Sequence, residues 1–368
     1  MQLLKIEEFK REDNRQYNFY LLKSFSIIAM LICHMVFRLG MYKEGYENDF
    51  SYFFADIILG CYLGVAHAFM FSMGTSIYYS NNQKPIELIK RGIIIYLLGY
   101  VLNFFCYGIY ALIDGLIEGE FVEETIEALI GQDIFHFAGL ALILTGFLKS
   151  IKLKDIYILI ISLVLSLVGY FLAFTYNGNS FILDFIICHF VYTDGVCSCF
   201  SLFHWYIFVA FGLFFGNILK NTKDKDRLYK RVLMISLPIM VAYIVLSSIF
   251  GTLFLSKEGE YYALSILEAL GLLSIDLVLL SLYHFLLNKV DASKFNLFIV
   301  MSKNLTSIYI ISWCIIGFLE AVFCYILGIV FNYFVLYLMG IVLVVVSYLI
   351  SIMYKNIKSN IQLKKQTI

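Results

Sequence analysis

Charge and proline are what this 368-residue sequence has least of. Only 15% of its residues are Asp, Glu, Lys or Arg, and 27 acidic side chains cancel 27 basic ones. A soluble domain carries about a quarter charged residues, so a water-facing surface of ordinary composition is excluded. With no net positive charge and no run of interleaved basic and aromatic residues, nucleic acid is excluded as a partner. The two prolines are Pro85, read as lying in a loop, and Pro238. Transporters built on broken helices usually interrupt two matching helices with Pro or Gly, and neither such a pair nor an internal repeat is found. A signal peptide is not expected, because the first apolar run is too long for one and no small-residue cleavage site follows it. The eight cysteines are scattered. Cys33, Cys61, Cys106, Cys314 and Cys324 fall in apolar runs, where Cys acts as a small hydrophobe. Cys188, Cys197 and Cys199 fall outside them, where a disulfide is allowed but not required.

What is abundant is apolar: 61% of the residues, with a mean hydropathy of +0.84. This predicts an all-α, polytopic membrane helical bundle. Ten spans are read at about 18–42, 52–79, 92–113, 133–148, 155–175, 202–219, 232–255, 263–288, 297–325 and 329–354. Sorting cations by side tests the count, since cytoplasmic ends are enriched in Lys and Arg. With the N-terminus inside, 24 of the 27 fall on the inner side, and only Arg38, Lys43 and Lys257 fall outside. The acidic stretch Asp114 to Glu127 also lands outside. Both termini are therefore expected in the cytoplasm, with a lead-in at 1–17, a transmembrane domain at 18–355 and a tail at 356–368.

Within the first span, LLKSFSIIAMLICHM (21–35) carries Lys23 and His34. Eleven positions apart, they share one helix face about 16 Å apart along the axis. An ionisable group in a membrane is by default a functional hypothesis; against it stands a snorkelling lysine and a satisfied structural histidine. In the second span Gly60, Gly64, His67, Phe71 and Gly74 line one face, with Gly60 and Gly64 as a GxxxG pair expected to pack on the first span. His67 would then point toward the same seam as His34. Lys84, Lys90 and Arg91 follow at the inner face, as topology anchors or as contacts for a phosphate-bearing ligand. Asn103 is read deep in span three, four residues from Gly99. Span four opens with Gln132, Asp133 and His136, where the carboxylate could orient the imidazole. The long outer segment from Tyr176 to Leu202 is read as a short interfacial helix or a re-entrant cover over an outward-facing pocket. Asp184, His189, Asp194 and His204 match no metal spacing. Lys220 to Arg231 is a basic cytoplasmic hairpin. Glu268 and Asp276 in span eight are buried carboxylates of the kind that relay protons, the argument for a proton-coupled transporter or flippase. A non-catalytic scaffold or sensor is the third reading.

Several segments taken together resemble a known family. They are the Lys23 to His34 spacing, AHAFMFSMGTSI (66–77), the KRG of Lys90 to Gly92, the LN of Leu102 to Asn103, DIFHFAGLALIL (133–144), FSLFHWYIFVAFGLFFG (200–216) and SKNLTSIYIISW (302–313). The combination resembles the transmembrane acyltransferase superfamily, nearest its heparan-α-glucosaminide N-acetyltransferase-like branch and more distantly the acyltransferase-3 enzymes that O-acetylate surface polysaccharides. The chain departs from the pattern at Tyr20, where members have aspartate, at Lys23 and Ser24, where they have arginine and glycine, and at Ser312. A lysine is a point charge rather than a fork, so phosphate contact there would be less directional.

The resemblance implies transfer of an acetyl group from cytoplasmic acetyl-coenzyme A to a hydroxyl or amine of an extracytoplasmic cell-envelope glycan or its lipid-linked precursor. His34 would be the general base, since imidazole titrates near neutral pH. His67, Asn103, Asp133 and His136 join it as catalytic candidates. Lys23, Lys90, Arg91, Asn304, Tyr309 and Trp313 are candidates for the acyl donor, and no metal is expected. The expected partners are acetyl-coenzyme A, the sugar acceptor and the bilayer of the plasma membrane, with a homodimer allowed.

Overall fold

The computed structural model describes residues 16–63, 65–80, 83–108, 115, 129–175, 181–193 and 199–366. Among them every regular element is a helix, as lipid requires of a chain whose backbone groups must be satisfied within each span. In chain order the α-helices are α1 (Tyr17–Gly40), α2 (Phe50–Phe53), α3 (Val65–Ser76), α4 (Pro85–Asn103), α5 (Ile134–Ser150), α6 (Asp155–Leu172), α7 (Phe181–Cys188), α8 (Leu202–Asn221), α9 (Lys225–Phe250), α10 (Ile266–Lys289), α11 (Asn296–Lys303), α12 (Leu305–Leu319) and α13 (Tyr333–Gln366). Three segments are wound more widely, as π-helix: Phe54–Tyr62, Phe104–Gly108 and Glu320–Ile326.

Nine stretches among the described residues are long and apolar enough to cross a membrane, and α5, at 17 residues, is a tenth apolar helix. Each of the ten expected spans thus has its helix. Their edges move for identifiable reasons. Pro85 is not in a loop but occupies the first turn of α4, where a missing N–H costs nothing because that donor has no helical partner. The third span therefore starts earlier, and the buried Asn103 ends its α-helical part, beyond which the span continues as π-helix to Gly108. Asp224 caps α9 by accepting from the Arg227 N–H at 2.9 Å, which carries the helix into the basic hairpin. The run expected at 297–325 is two helices, α11 and α12, separated at Asn304. The lead-in before residue 16, the acidic stretch apart from position 115, Gly64, Asp194 and Cys197 lie outside the described residues.

The chain forms two compact units. The first holds the residues up to Val65 and those from Leu282 on. Here α1 packs on α11, α12, α13 and the Phe54–Tyr62 segment. The hydroxyl of Ser24 donates to the Phe298 carbonyl, pinning α1 to α11. Gly60 meets the Cys33 sulfur on α1, where an added Cβ would come within 2.9 Å. That part of the small-residue face packs on the first span as expected.

The second unit spans Ala66–Ser281. In it α5 lies along α4, with Gly92 and Gly139 in backbone contact, and α6 lies along α8. Gly74 does not share the packing of Gly60: it belongs to α3, and α3 crosses α8. There a Cβ on Gly74 would sit 2.1 Å from the Val209 carbonyl oxygen, and one on Gly212 would sit 2.1 Å from that of Phe71. The expected single face is therefore divided between two partners.

Backbone carbonyls cannot swing aside as a side chain can. Gly74→Ala and Gly212→Ala are each expected to destabilise by about 1–3 kcal/mol or more through overpacking, read as a lowered melting temperature in detergent. Gly60→Ala, which meets only a movable thiol, should be the mildest of the three.

Candidate active site

Two polar clusters stand out, one in each unit. In the first unit α1 runs in the same direction as α11 and α12, since Ser24 meets Phe298 of α11, His34 meets Trp313 of α12 and Arg38 meets Glu320 just beyond α12 in turn. His34 is half-buried. Its ring centroid is 4.6 Å from that of Trp313 and 6.4 Å from that of Tyr309. Tyr309 and Trp313 are four residues apart and so share a helix face. His34 Nδ1 and Trp313 Nε1 are both buried and have no hydrogen-bond partner among the described residues. An indole N–H can only donate, and leaving such a donor unmet costs about 1–3 kcal/mol.

One turn beyond His34, Arg38 donates from Nε and Nη2 to a single oxygen of Glu320, at 2.9 and 2.7 Å. The Tyr42 hydroxyl lies 3.4 Å from the other oxygen. Both charged side chains are largely buried, 17% and 5% exposed, and Glu320 opens the π-helical segment at the end of α12. In the sequence Arg38 reads only as an outer cation. The available signals were its position four residues from His34 and a carboxylate inside an apolar run. Lys23 is half-buried and lies over the ring of Tyr20 at 5.2 Å. Tyr20, three residues before the cation, thus meets it through its π face. Asn304 has its Nδ2 buried and unpartnered among the described residues.

In the second unit His67 Nδ1 and Asp276 Oδ2 are 2.8 Å apart, both side chains fully buried. The imidazole also stacks on Phe208 at 5.8 Å. Glu268, the other buried carboxylate of α10, is held by the Tyr243 hydroxyl and by the Leu255 N–H at 3.1 Å, so each of the two carboxylates has its own partner.

Asp133 and His136 do meet, but through the backbone. The Asp133 N–H donates to His136 Nδ1 at 3.2 Å, and the carboxylate accepts from the Ile134 N–H at 2.6 Å, a reciprocal cap on α5. With Nδ1 accepting, the proton of a neutral imidazole sits on Nε2. The ring lies against Gly99, with Tyr100 at 4.4 Å and Tyr96 at 5.2 Å. The space that the missing side chain of Gly99 leaves is filled by the His136 ring. Asn103 donates to the carbonyls of Leu129 and Gly131 at 3.1 and 2.8 Å. His189, noted in sequence only as a poor metal candidate, lies 3.0 Å from the Tyr96 hydroxyl and 2.7 Å from the Phe185 carbonyl. Lys90 pairs with Glu87 at 3.5 Å on an exposed surface, beside an exposed Arg91. Cys188 is a thiol, donating to the Phe185 carbonyl at 3.2 Å. Among the described residues no cluster of three or more His, Cys, Asp or Glu side chains could hold a metal.

A multi-pass helical membrane protein with histidines inside its apolar interior is the class that these features define. Residues 15–250, close to two thirds of the chain, match the family described as heparan-alpha-glucosaminide N-acetyltransferase, catalytic. The chain belongs to that family of membrane acetyltransferases. No curated protein and no solved structure matches it. The matched region includes Lys23, His34, His67, Lys90, Arg91, Asn103, Asp133 and His136, and stops short of Asp276, Asn304, Tyr309, Trp313 and Glu320.

The Arg38–Glu320 pair can be separated from simple packing. Removing one partner leaves a buried charge alone, at a cost of roughly 3–5 kcal/mol, whereas replacing both with apolar residues is often close to neutral. Arg38→Met and Glu320→Leu are each expected to lower the melting temperature. The double variant should recover most of the loss.

Proposed function

We propose that this chain transfers the acetyl group of cytoplasmic acetyl-coenzyme A to a hydroxyl or amine of an extracytoplasmic glycan of the cell envelope, or of its lipid-linked precursor, across the plasma membrane. The match to an acetyltransferase catalytic family carries this reading. The distribution of Lys and Arg supports a cytoplasmic donor side: exposed Lys90 and Arg91 near the start of α4 have the chemistry for the phosphates of coenzyme A. Within the first unit, Lys23, Asn304 and Tyr309 are further candidates for contact with the donor.

In this reading His34 is the general base. Its ring nitrogen takes the proton from the acceptor as the hydroxyl or amine attacks the thioester carbon, and returns it to the departing coenzyme A sulfur. The unpartnered Nδ1 of His34 suits a group that waits for substrate. The carboxylate of Asp276 would hold the ring of His67 in one orientation, a support for a second proton-handling histidine. Asp133 and His136 would act by fixing the start of α5, close to Asn103, rather than by direct proton transfer, because the Nδ1 lone pair of His136 is already engaged.

The test uses purified full-length protein with radiolabelled acetyl-coenzyme A. His34→Ala is expected to lose label transfer by at least about 100-fold, while size-exclusion and melting profiles stay those of the parent. Full activity in His34→Ala would overturn the mechanism.

A further inference from the structure

In the acetyl transfer proposed above, on which this inference rests, charge develops on the acetyl carbonyl oxygen, and the site needs a donor for it. Two features of α12 bear on which group that is. Trp313 is 7% exposed and its Nε1–H meets no acceptor among the described residues. The other tryptophan of the chain, Trp205, is fully buried too, but its Nε1–H is bonded to the Tyr262 carbonyl at 3.3 Å. The contrast matters because an indole cannot accept: whatever completes Trp313 must bring an oxygen.

Placement narrows the choice of oxygen. A base and an oxyanion donor serving one carbonyl carbon each stand about 3 Å from the atoms they touch. With one bond to the nucleophile and one to the oxygen between them, they end roughly 5–7 Å apart. The rings of His34 and Trp313 have centroids 4.6 Å apart and are tilted by 38°, a separation at which one small carbonyl group can meet the edges of both. Arg38 is the nearest strong donor on α1, but two of its N–H groups already serve Glu320.

We propose that Trp313 Nε1–H is the oxyanion donor of this enzyme, working opposite His34. As the acceptor oxygen or nitrogen forms its bond to the acetyl carbon, the carbonyl π pair moves onto oxygen and is held by the indole N–H. When the pair returns, the carbon–sulfur bond breaks, and the sulfur leaves with its electrons and takes the proton from His34. No oxidant, metal or further reactant enters.

Trp313→Phe keeps an aromatic ring at this position and deletes only the N–H side of the indole. It is expected to lower kcat by roughly 100- to 1000-fold, with the KM for acetyl-coenzyme A moved by no more than about threefold. A packing defect alone would act on KM and melting temperature instead. A second measurement needs no variant: the two indole N–H resonances of the isotope-labelled parent protein are followed while a ketone analogue of acetyl-coenzyme A is added. The Trp313 resonance should move downfield on forming a hydrogen bond, with that of Trp205 as the fixed internal reference. If the parent transfers acetyl while Trp313→Phe keeps full kcat, or if the Trp313 resonance stays still with the analogue bound, the indole's role is overturned and the acetyltransferase reading stands. A parent protein that neither binds the analogue nor transfers acetyl overturns both.

Discussion

A charge held among apolar helices must be answered by a partner, because neither water nor lipid will do it. This requirement decides much of how the helices meet. Between surfaces of Leu, Ile and Phe, hydrocarbon contact is nearly indifferent to which faces touch, since lipid offers the same contact. Arg38 with Glu320 is not indifferent: it joins α1 to the end of α12 at one register. His67 with Asp276 does the same for α3 and α10, and Tyr243 with Glu268 for α9 and α10. Glycines supply the complementary constraint, letting backbones touch where no side chain fits, as at Gly74 and Gly212.

The unequal legibility of the sequence has a physical basis. Spans are local: a run of apolar residues must become a helix in lipid whatever its neighbours are, so the ten runs and the ten apolar helices correspond. The edges were less legible because water returns there. Pro85 reads as a breaker until its place in the first turn of α4 is seen, and Asp224 extends α9 into a hairpin that looks like a polar loop. Pairings are not local at all. His67 and Asp276 are separated by 209 positions, and no spacing rule connects them. The ionisable residues are therefore legible in the sequence, but the partners of Asp276 and Arg38 are not.

The histidines show how little residue type says before the ring nitrogens are traced. His136 has its lone pair committed to the N–H of Asp133, and His189 lies between a tyrosine hydroxyl and a backbone carbonyl. His67 faces a carboxylate, and His34 faces aromatic rings with one nitrogen unmet. Four residues that a sequence presents as equivalent thus differ in what they have left to offer a substrate. The same holds for the two tryptophans, one with its donor used and one without a partner among the described residues.

The π-helical segment Glu320–Ile326 has a consequence for how this chain tolerates change in length. The helix does not resume after this wide turn: residues 327–332 are non-helical before α13 begins at Tyr333. Tyr309 and Trp313 lie upstream of the segment, on a helix whose register against α1 is held by Arg38 and Glu320. A residue gained or lost in the irregular connection is therefore taken up there by backbone rearrangement rather than passed back as a rotation of the ring-bearing face.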